Sequence, residues 1–177
     1  QHSATRAYVT ERLPDLVRGG PEELAERTRA ALERAVDAAI GKAPVAAVSL
    51  SGGIDSGSVA AAACHVRGSR NALSFSAAFP DYPEADESSL VRKVRRQLDL
   101  DGSELVVRPA GLLRDALLYQ SIWSLPSASP TRFFQLQLQQ LAADAGAEVL
   151  LDGEGGDELF GLRPYLVADR LARGRAY

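Results

Sequence analysis

Leu50-Ser51-Gly52-Gly53-Ile54-Asp55-Ser56 follows directly on Val45-Ala46-Ala47-Val48-Ser49, and the reading of this junction decides the fold. The first run has the length and apolar character of a buried strand. The second is a glycine-rich turn that opens an alanine-rich segment of helix length. A turn in that position exposes backbone N–H groups and the positive end of the helix dipole, and both suit an anion. No lysine occurs in it, so it cannot be the GxxxxGK[ST] loop that grips β- and γ-phosphates with a lysine. Gly52 and Gly53 let the backbone approach an anion with no side chain intervening. Ser51, Ser56 and Ser58 offer hydroxyl protons to phosphate oxygens. Asp55 suits an anion site only if a divalent cation lies between it and the phosphates, and magnesium prefers that ligand mixture. The structural alternative is a Ser-Gly helix cap with Asp55 in the first turn. A GxSxG nucleophile elbow fails because Ser49-Leu50-Ser51-Gly52-Gly53 lacks its first glycine, and no GxGxxG is present.

Outward from the junction, strand-length apolar runs alternate with helix-length periodic segments. The pattern predicts strands at 45–50, 72–77, 103–107 and 147–152, and helices near 21–40, 56–67, 84–98, 110–122 and 131–146. The first helix opens on Pro21-Glu22-Glu23, a favoured first turn, and stops at Gly41-Lys42-Ala43-Pro44. Such alternation implies an α/β fold of βαβ units, with a mostly parallel sheet and helices on both faces. The strands read as apolar nearly throughout, as strands buried on both sides should. Residues 1–20 form an N-terminal extension or linker ending in Gly19-Gly20, and 21–177 form one domain. The proline- and serine-rich loop 123–130 is expected near the strand ends. In an open α/β sheet, ligands bind at the carboxyl ends of the strands.

Composition narrows the function classes. The 177 residues suffice for one well-buried domain, and their net charge of −3 gives no general attraction to nucleic acid or anionic membrane. No apolar run approaches the roughly 20 residues of a membrane span, and the N-terminus lacks the apolar centre of a signal peptide. One cysteine, Cys64, excludes an internal disulfide and fits a reducing, cytoplasmic compartment. Two histidines and that cysteine exclude an ordinary structural zinc site. Cys64 is expected to pack mid-helix beside Ala61, Ala62 and Ala63, and His65 to lie on the helix surface. Trp123, Phe133 and Phe134 are expected in the core, and Arg92, Lys93, Arg95 and Arg96 on a solvated helix face. The chain contains no methionine, which points to a processed or partial sequence.

A second loop follows Val149-Leu150-Leu151. Asp152-Gly153-Glu154-Gly155-Gly156-Asp157-Glu158 places four carboxylates and three glycines within seven residues. Such a cluster repels itself and persists best when a cation or cationic substrate neutralises it. The structural alternative is a solvated acidic turn capping a helix that starts near Asp157.

Together the two loops, with the segment between them, resemble the synthetase domain of the glutamine-dependent asparagine synthetase family. The resemblance rests on LSGGIDS at Leu50–Ser56, on Ser74-Phe75-Ser76 with YPEADES around Asp86-Glu87, and on GEGGDELFG at Gly153–Gly161. The first motif is shared by pyrophosphate-loop ATP enzymes in general. The third is narrower and singles out the asparagine synthetase branch, which includes β-lactam synthetases and lasso-peptide macrolactam cyclases. The resemblance implies an adenine-nucleotide α-hydrolase-like sandwich. It also implies an ATP-dependent ligase that activates a carboxylate as an acyl-adenylate, forms an amide, and releases AMP and pyrophosphate. By the same resemblance, Ser51, Gly52, Gly53, Asp55 and Ser56 grip the pyrophosphate, and Asp55 and Asp157 hold Mg²⁺. Ser76 and Ala77 supply the backbone edge that reads adenine, with Leu50 beside it. Gly153 contacts the nucleotide, and Glu154 is the acid at the reacting centre, catalytic together with Asp55.

Three positions depart from the family pattern. Gly57 stands where a second serine is usual, and Asp152 where a serine is common. The spelling Asp-Gly-Glu-Gly-Gly-Asp-Glu is closer to macrolactam cyclases and asparagine-synthetase-like proteins than to housekeeping asparagine synthetases. The substrate carboxylate is accordingly that of a small molecule or of a peptide. The family's glutaminase domain and a lysine near the acyl-adenylate are not matched, since the lysines here are Lys42 and Lys93. The domain is therefore expected to be incomplete at its C-terminal end. A glutaminase domain or a leader-binding partner is expected in trans, and a non-catalytic ATP-binding homologue is the alternative.

Overall fold

A computed structural model describes residues 19–108, 112–124 and 132–157. Helix α1 (Pro21–Ile40) begins on proline with Glu22 and Glu23 in its first turn and ends at Gly41, whose φ of 58° only glycine adopts freely. Strand β1 (Ala46–Ser49) leads through the glycine-rich turn into α2 (Ile54–Arg67). A single 3₁₀ turn then enters β2 (Ala72–Ala78). Beyond it come α3 (Ser88–Leu98), β3 (Asp101–Val106), α4 (Leu112–Trp123), α5 (Arg132–Asp144) and β4 (Val149–Leu151).

The described strands form one parallel sheet in the order β3-β2-β1-β4. The chain winds outward from β1 through β2 to β3, then returns to the other flank of β1 with β4. The reversal between β1 and β4 is a topological switch point, where the loops leaving two adjacent strands diverge and open a crevice. In this chain those loops are the glycine-rich turn and the acidic loop.

Strand alternation sorts the core into two layers. Ala46, Val48 and Leu50 point to one face, where they meet Val36 and Ile40 of α1, Ala60, Ala62 and Ala63 of α2, and Val91 of α3. Ala47 and Phe75 point to the other, against Leu138 and Ala142 of α5, with Leu73, Ala77 and Leu150 alongside. Helices thus cover both faces, as the alternation predicts. Arg67 at the end of α2 clasps α1, reaching the Asp37 carboxylate at 3.1 Å and the Gly41 carbonyl. No described helix is long and apolar enough to cross a membrane.

Four expectations are corrected. The strands are not apolar throughout, because β3 is an edge strand that starts at Asp101 and is largely exposed. Helix α3 starts at Ser88 rather than near 84, because Asp86 turns the chain there. Its Oδ1 accepts the Phe79 and Ser88 N–H groups and the Ser88 hydroxyl, closing the 79–87 loop just ahead of the helix. These hydrogen bonds, the Ser88 hydroxyl first, hold the Asp86 carboxyl below its usual pKa. Trp123 is 56% exposed, against Tyr119 rather than in the core. Arg95 is not solvated, its side chain being only 13% exposed.

Other expectations agree. Phe134 packs at the second core layer, His65 is exposed near Glu33, and the partly buried Cys64 has its pKa raised by desolvation. Residues 1–18, most of the loop 123–130, the Phe133 side chain and residues 158–177 lie outside the described residues.

Candidate functional site

The glycine-rich turn is held from within. Ser56, buried in the first turn of α2, takes the Ser51 N–H at 3.1 Å and lies 3.0 Å from the Ser51 hydroxyl. Its own hydroxyl donates back to the Gly53 carbonyl at 3.4 Å, while the Gly53 N–H points at Ser51 Oγ. This network folds the turn around a hydroxyl pair and leaves Ser51 exposed. Gly52 has φ of 87°, and a Cβ there would stand 2.9 Å from Leu90 Cβ, so bare backbone is needed where the turn meets the start of α3.

The acidic loop has its own local logic. Asp152 Oδ1 accepts the Glu154 N–H at 3.1 Å, and the Gly156 N–H reaches the Gly153 carbonyl at 3.2 Å. Asp152 is therefore a turn-former as well as a charge. Gly155 sits at φ of 96°.

The two loops meet through glycine. A Cβ on Gly153 would lie 2.7 Å from the Ser56 N and 3.0 Å from the Asp55 carbonyl carbon. A Cβ on Gly156 would run into the Asp55 carboxyl itself. No side chain fits at either position, so the acidic loop lies with bare backbone against the first turn of α2. That contact brings the carboxylates of separate loops to one rim.

The result is an open cleft of about 670 Å³ at the carboxyl ends of β1 and β4. The glycine-rich turn and α2 contribute Ser51, Gly53, Asp55 and Ser56 to its lining, and the acidic loop Gly153, Glu154 and Asp157. Ile54, Asp152 and Gly156 complete that rim. Asp55 and Asp157 thus line one cavity. Among the described residues no three His, Cys, Asp or Glu side chains cluster to hold a metal. Two carboxylates on one cleft are still a donor set that suits magnesium, which takes one or two protein carboxylates and completes its octahedron with phosphate oxygens and water.

Other sequence-identified residues lie elsewhere. The Leu50 side chain is 1% exposed in the core, and its N–H closes the sheet onto the Phe75 carbonyl at 2.8 Å. Ser76 is buried, and its Oγ takes a hydrogen bond from Arg95. Ala77 is placed by the ladder. Odd residues of β2 aim their backbone groups at β1, but that pairing ends at Ser49 opposite Phe75. The Ala77 N–H and C=O consequently face the side that β1 has left, a donor–acceptor pair unpaired in the ladder of the described sheet. Ser58 lines the grooves between α2 and its neighbours α1 and α3 rather than the cleft.

The cleft also contains residues the sequence left unassigned: Ser49, Glu87 and Gln135. Glu87 belongs to a quoted motif, but nothing in the spelling puts its side chain beside the glycine-rich turn. Gln135 carries no sequence signal. It arrives because Phe134 packs edge-on against Phe79, ring centroids 5.6 Å apart, which sets the start of α5 over the strand ends.

Comparison with known proteins agrees with this architecture. The family model described as asparagine synthase matches residues 27–176. No curated protein matches the chain in sequence. Among solved structures, it is similar to the glutamine-dependent NAD+ synthetase of Acinetobacter baumannii in complex with ADP, at TM-score 0.52 and 17% identity, over 82% of this chain and 29% of that one. The NH3-dependent NAD synthetase of Campylobacter jejuni subsp. jejuni NCTC 11168, in complex with the nitrate ion, matches at TM-score 0.46 and 14% identity, over 80% and 60% of the two chains. The chain thus spans less than two thirds of either structure. The first likeness identifies the fold as the pyrophosphate-loop sandwich of the adenine-nucleotide α-hydrolase type.

Proposed function

This chain belongs to the asparagine synthase family, and from that premise we propose that it is an ATP-dependent, amide-forming ligase. It activates a carboxylate as an acyl-adenylate and releases AMP and pyrophosphate. The observation that carries this reading is the meeting of Asp55 and Asp157 in one cleft, beside the open N-terminus of α2.

The chemistry follows from the walls of that cleft. A substrate carboxylate oxygen attacks the α-phosphorus of ATP, and the bond from that phosphorus to the bridging oxygen breaks. Pyrophosphate leaves toward the glycine-rich turn, where the Gly53 region and Ser51 present backbone and hydroxyl donors to its growing charge. Magnesium, held by Asp55 and Asp157, would neutralise that leaving group. An amine nitrogen then attacks the acyl carbon, the bond to AMP breaks, and the nitrogen gives up a proton. Glu154, which lines the same cleft as Asp55, is the group to orient that amine and accept the proton. The Ala77 backbone pair offers one donor and one acceptor, which complements the N1 and N6 edge of adenine. Leu50 holds that strand end from beneath, and Gly153 lets the nucleotide approach bare backbone.

The acceptor is either aspartate, giving asparagine, or a peptide carboxylate closed by a peptide amine into a lasso-type macrolactam. With aspartate the nitrogen is ammonia from a glutaminase domain in trans; with a peptide it is the precursor's own amine, presented by a leader-binding partner in trans. ATP–pyrophosphate exchange, measured with aspartate and separately with a peptide carboxylate, tests the reading and distinguishes the two. Asp55→Ala should lower exchange by about 10²–10³-fold, the usual loss for one preorganised contact, with circular dichroism unchanged. Exchange indifferent to that substitution would refute the assignment. ATP binding without any exchange would make the chain a non-catalytic nucleotide-binding homologue.

A further inference from the structure

We infer that Arg95 is a positioning residue that sets nucleobase selectivity by fixing the free edge of β2. The inference rests on the nucleotide reading above and adds to it a residue outside the cleft.

Arg95 belongs to a basic stretch, Arg92-Lys93-Val94-Arg95-Arg96, yet differs from its neighbours in environment. Arg92, Lys93 and Arg96 are exposed, whereas the Arg95 side chain is 13% exposed beneath the sheet. Its guanidinium spans two strands. Nε donates to Ser74 Oγ at 2.7 Å, and Nη2 reaches the Ser74 carbonyl at 3.2 Å and Ser76 Oγ at 3.2 Å, all on β2. On β3, Nη2 also reaches the Ser103 carbonyl at 2.9 Å, and Nη1 reaches Glu104 Oε1 at 3.4 Å. Burying a charge in this way is costly unless its donors are paired, and here each end of the fork has partners.

The position of this clamp matters more than its strength. Strand β2 outruns β1 after Phe75, so among the described strands residues 76–78 pair with β3 alone. Among the described residues the last hydrogen bond from the β1 side is the Leu50 N–H on the Phe75 carbonyl, two residues short of Ala77. Arg95 ties Ser76, the residue before Ala77, to β3 from the α3 face. Base reading by one backbone donor and one acceptor needs that edge to stay in plane, while the phosphate grip lies on a different loop. Loss of Arg95 should therefore loosen base selection and spare phosphate binding.

The test compares ATP and GTP binding by calorimetry to the full chain, as wild type, Arg95→Met, Arg95→Lys and Ser76→Ala. The wild type should prefer ATP. Arg95→Met should cut the ATP-to-GTP affinity ratio by roughly tenfold or more, as loss of hydrogen bonds from a charged group implies, with GTP affinity unchanged. Arg95→Lys, keeping the charge but not the fork, should recover part of the ratio. Ser76→Ala deletes one anchor with little risk to folding, and should lower the ratio even if Arg95→Met does not fold. An unchanged ratio in the variants that fold, or an equal loss for both nucleotides, would overturn the inference and leave the nucleotide reading standing. A wild type that binds neither nucleotide would remove both.

Discussion

Gly156 and Gly57 are both glycines beside Asp55, and the structure assigns them opposite sensitivities. A Cβ on Gly156 collides with the Asp55 carboxyl, whereas a Cβ on Gly57 meets nothing within 4 Å. Gly156→Ala should thus push the acidic loop off the first turn of α2. A misplacement of about 1 Å in a site of this kind can cost on the order of 10²-fold in rate, so exchange activity should fall far more than thermal stability. Gly57→Ala should do the reverse, stabilising α2 by roughly 0.5–1 kcal/mol through its better helix propensity, with activity intact. Urea melts and exchange rates on the two variants check both outcomes. The sequence announced Gly52 and Gly53 because a glycine pair before a helix has a known use. It could not announce why Gly153 and Gly156 are glycine, because the atoms they make room for lie about a hundred residues earlier in the chain.

At the scale of elements, α3 illustrates what a pattern reveals and what it conceals. Its apolar spacing was legible, but its start was not, since that depends on one carboxylate bonding across a loop to Phe79. The same bonds give the helix a pH signature. The Asp86 pKa is lowered in the folded chain, chiefly by the Ser88 hydroxyl and then by the Phe79 N–H. A depressed carboxyl contributes stability that is fully present above its unfolded pKa, about 3.9, and is lost as pH falls through the folded value beneath it. Asp86→Ala should therefore lower the melting temperature at neutral pH. The gap to wild type should narrow as the solution is acidified below that range, as thermal melts at stepped pH would record. A gap constant with pH would mean that Asp86 acts through loop shape alone. Strand β3 was placed two residues late for a related reason. Asp101 and Gly102 look like turn residues, and an edge strand tolerates them because one of its flanks is not paired within the described sheet. Hydrophobicity alone points Trp123 to the core, yet among the described residues of α4 the buried one is Asp115, and the large apolar side chains lie outward. On α4 the exposed face holds Leu113, Leu117, Leu118 and Ile122 as well.

For the whole molecule, the decisive property is that its charge is divided within one cavity. The chain as a whole carries only −3, yet the cleft gathers Asp55, Glu87, Asp152, Glu154 and Asp157 against the hydroxyls and N–H groups of the first turn. Carboxylates lining one cleft would repel a bare triphosphate. A magnesium–nucleotide complex meets both demands, since the cation answers the carboxylates and the phosphates answer the N–H groups. Free ATP should therefore bind poorly, and Mg·ATP should stabilise the fold as any native-state ligand does. At a hundredfold excess over its dissociation constant the gain is about 2.7 kcal/mol, on the order of 5–10 °C in melting temperature for a chain of this size. Adding EDTA, or replacing Asp55 with alanine, should remove most of that shift, whereas sodium chloride at matched ionic strength should not. A shift equally large with ATP and EDTA would mean that the acidic loop serves something other than the cation. The glycine contacts between the two loops would then have to be explained by the acceptor's amine, the other positive charge that this cleft is built to receive.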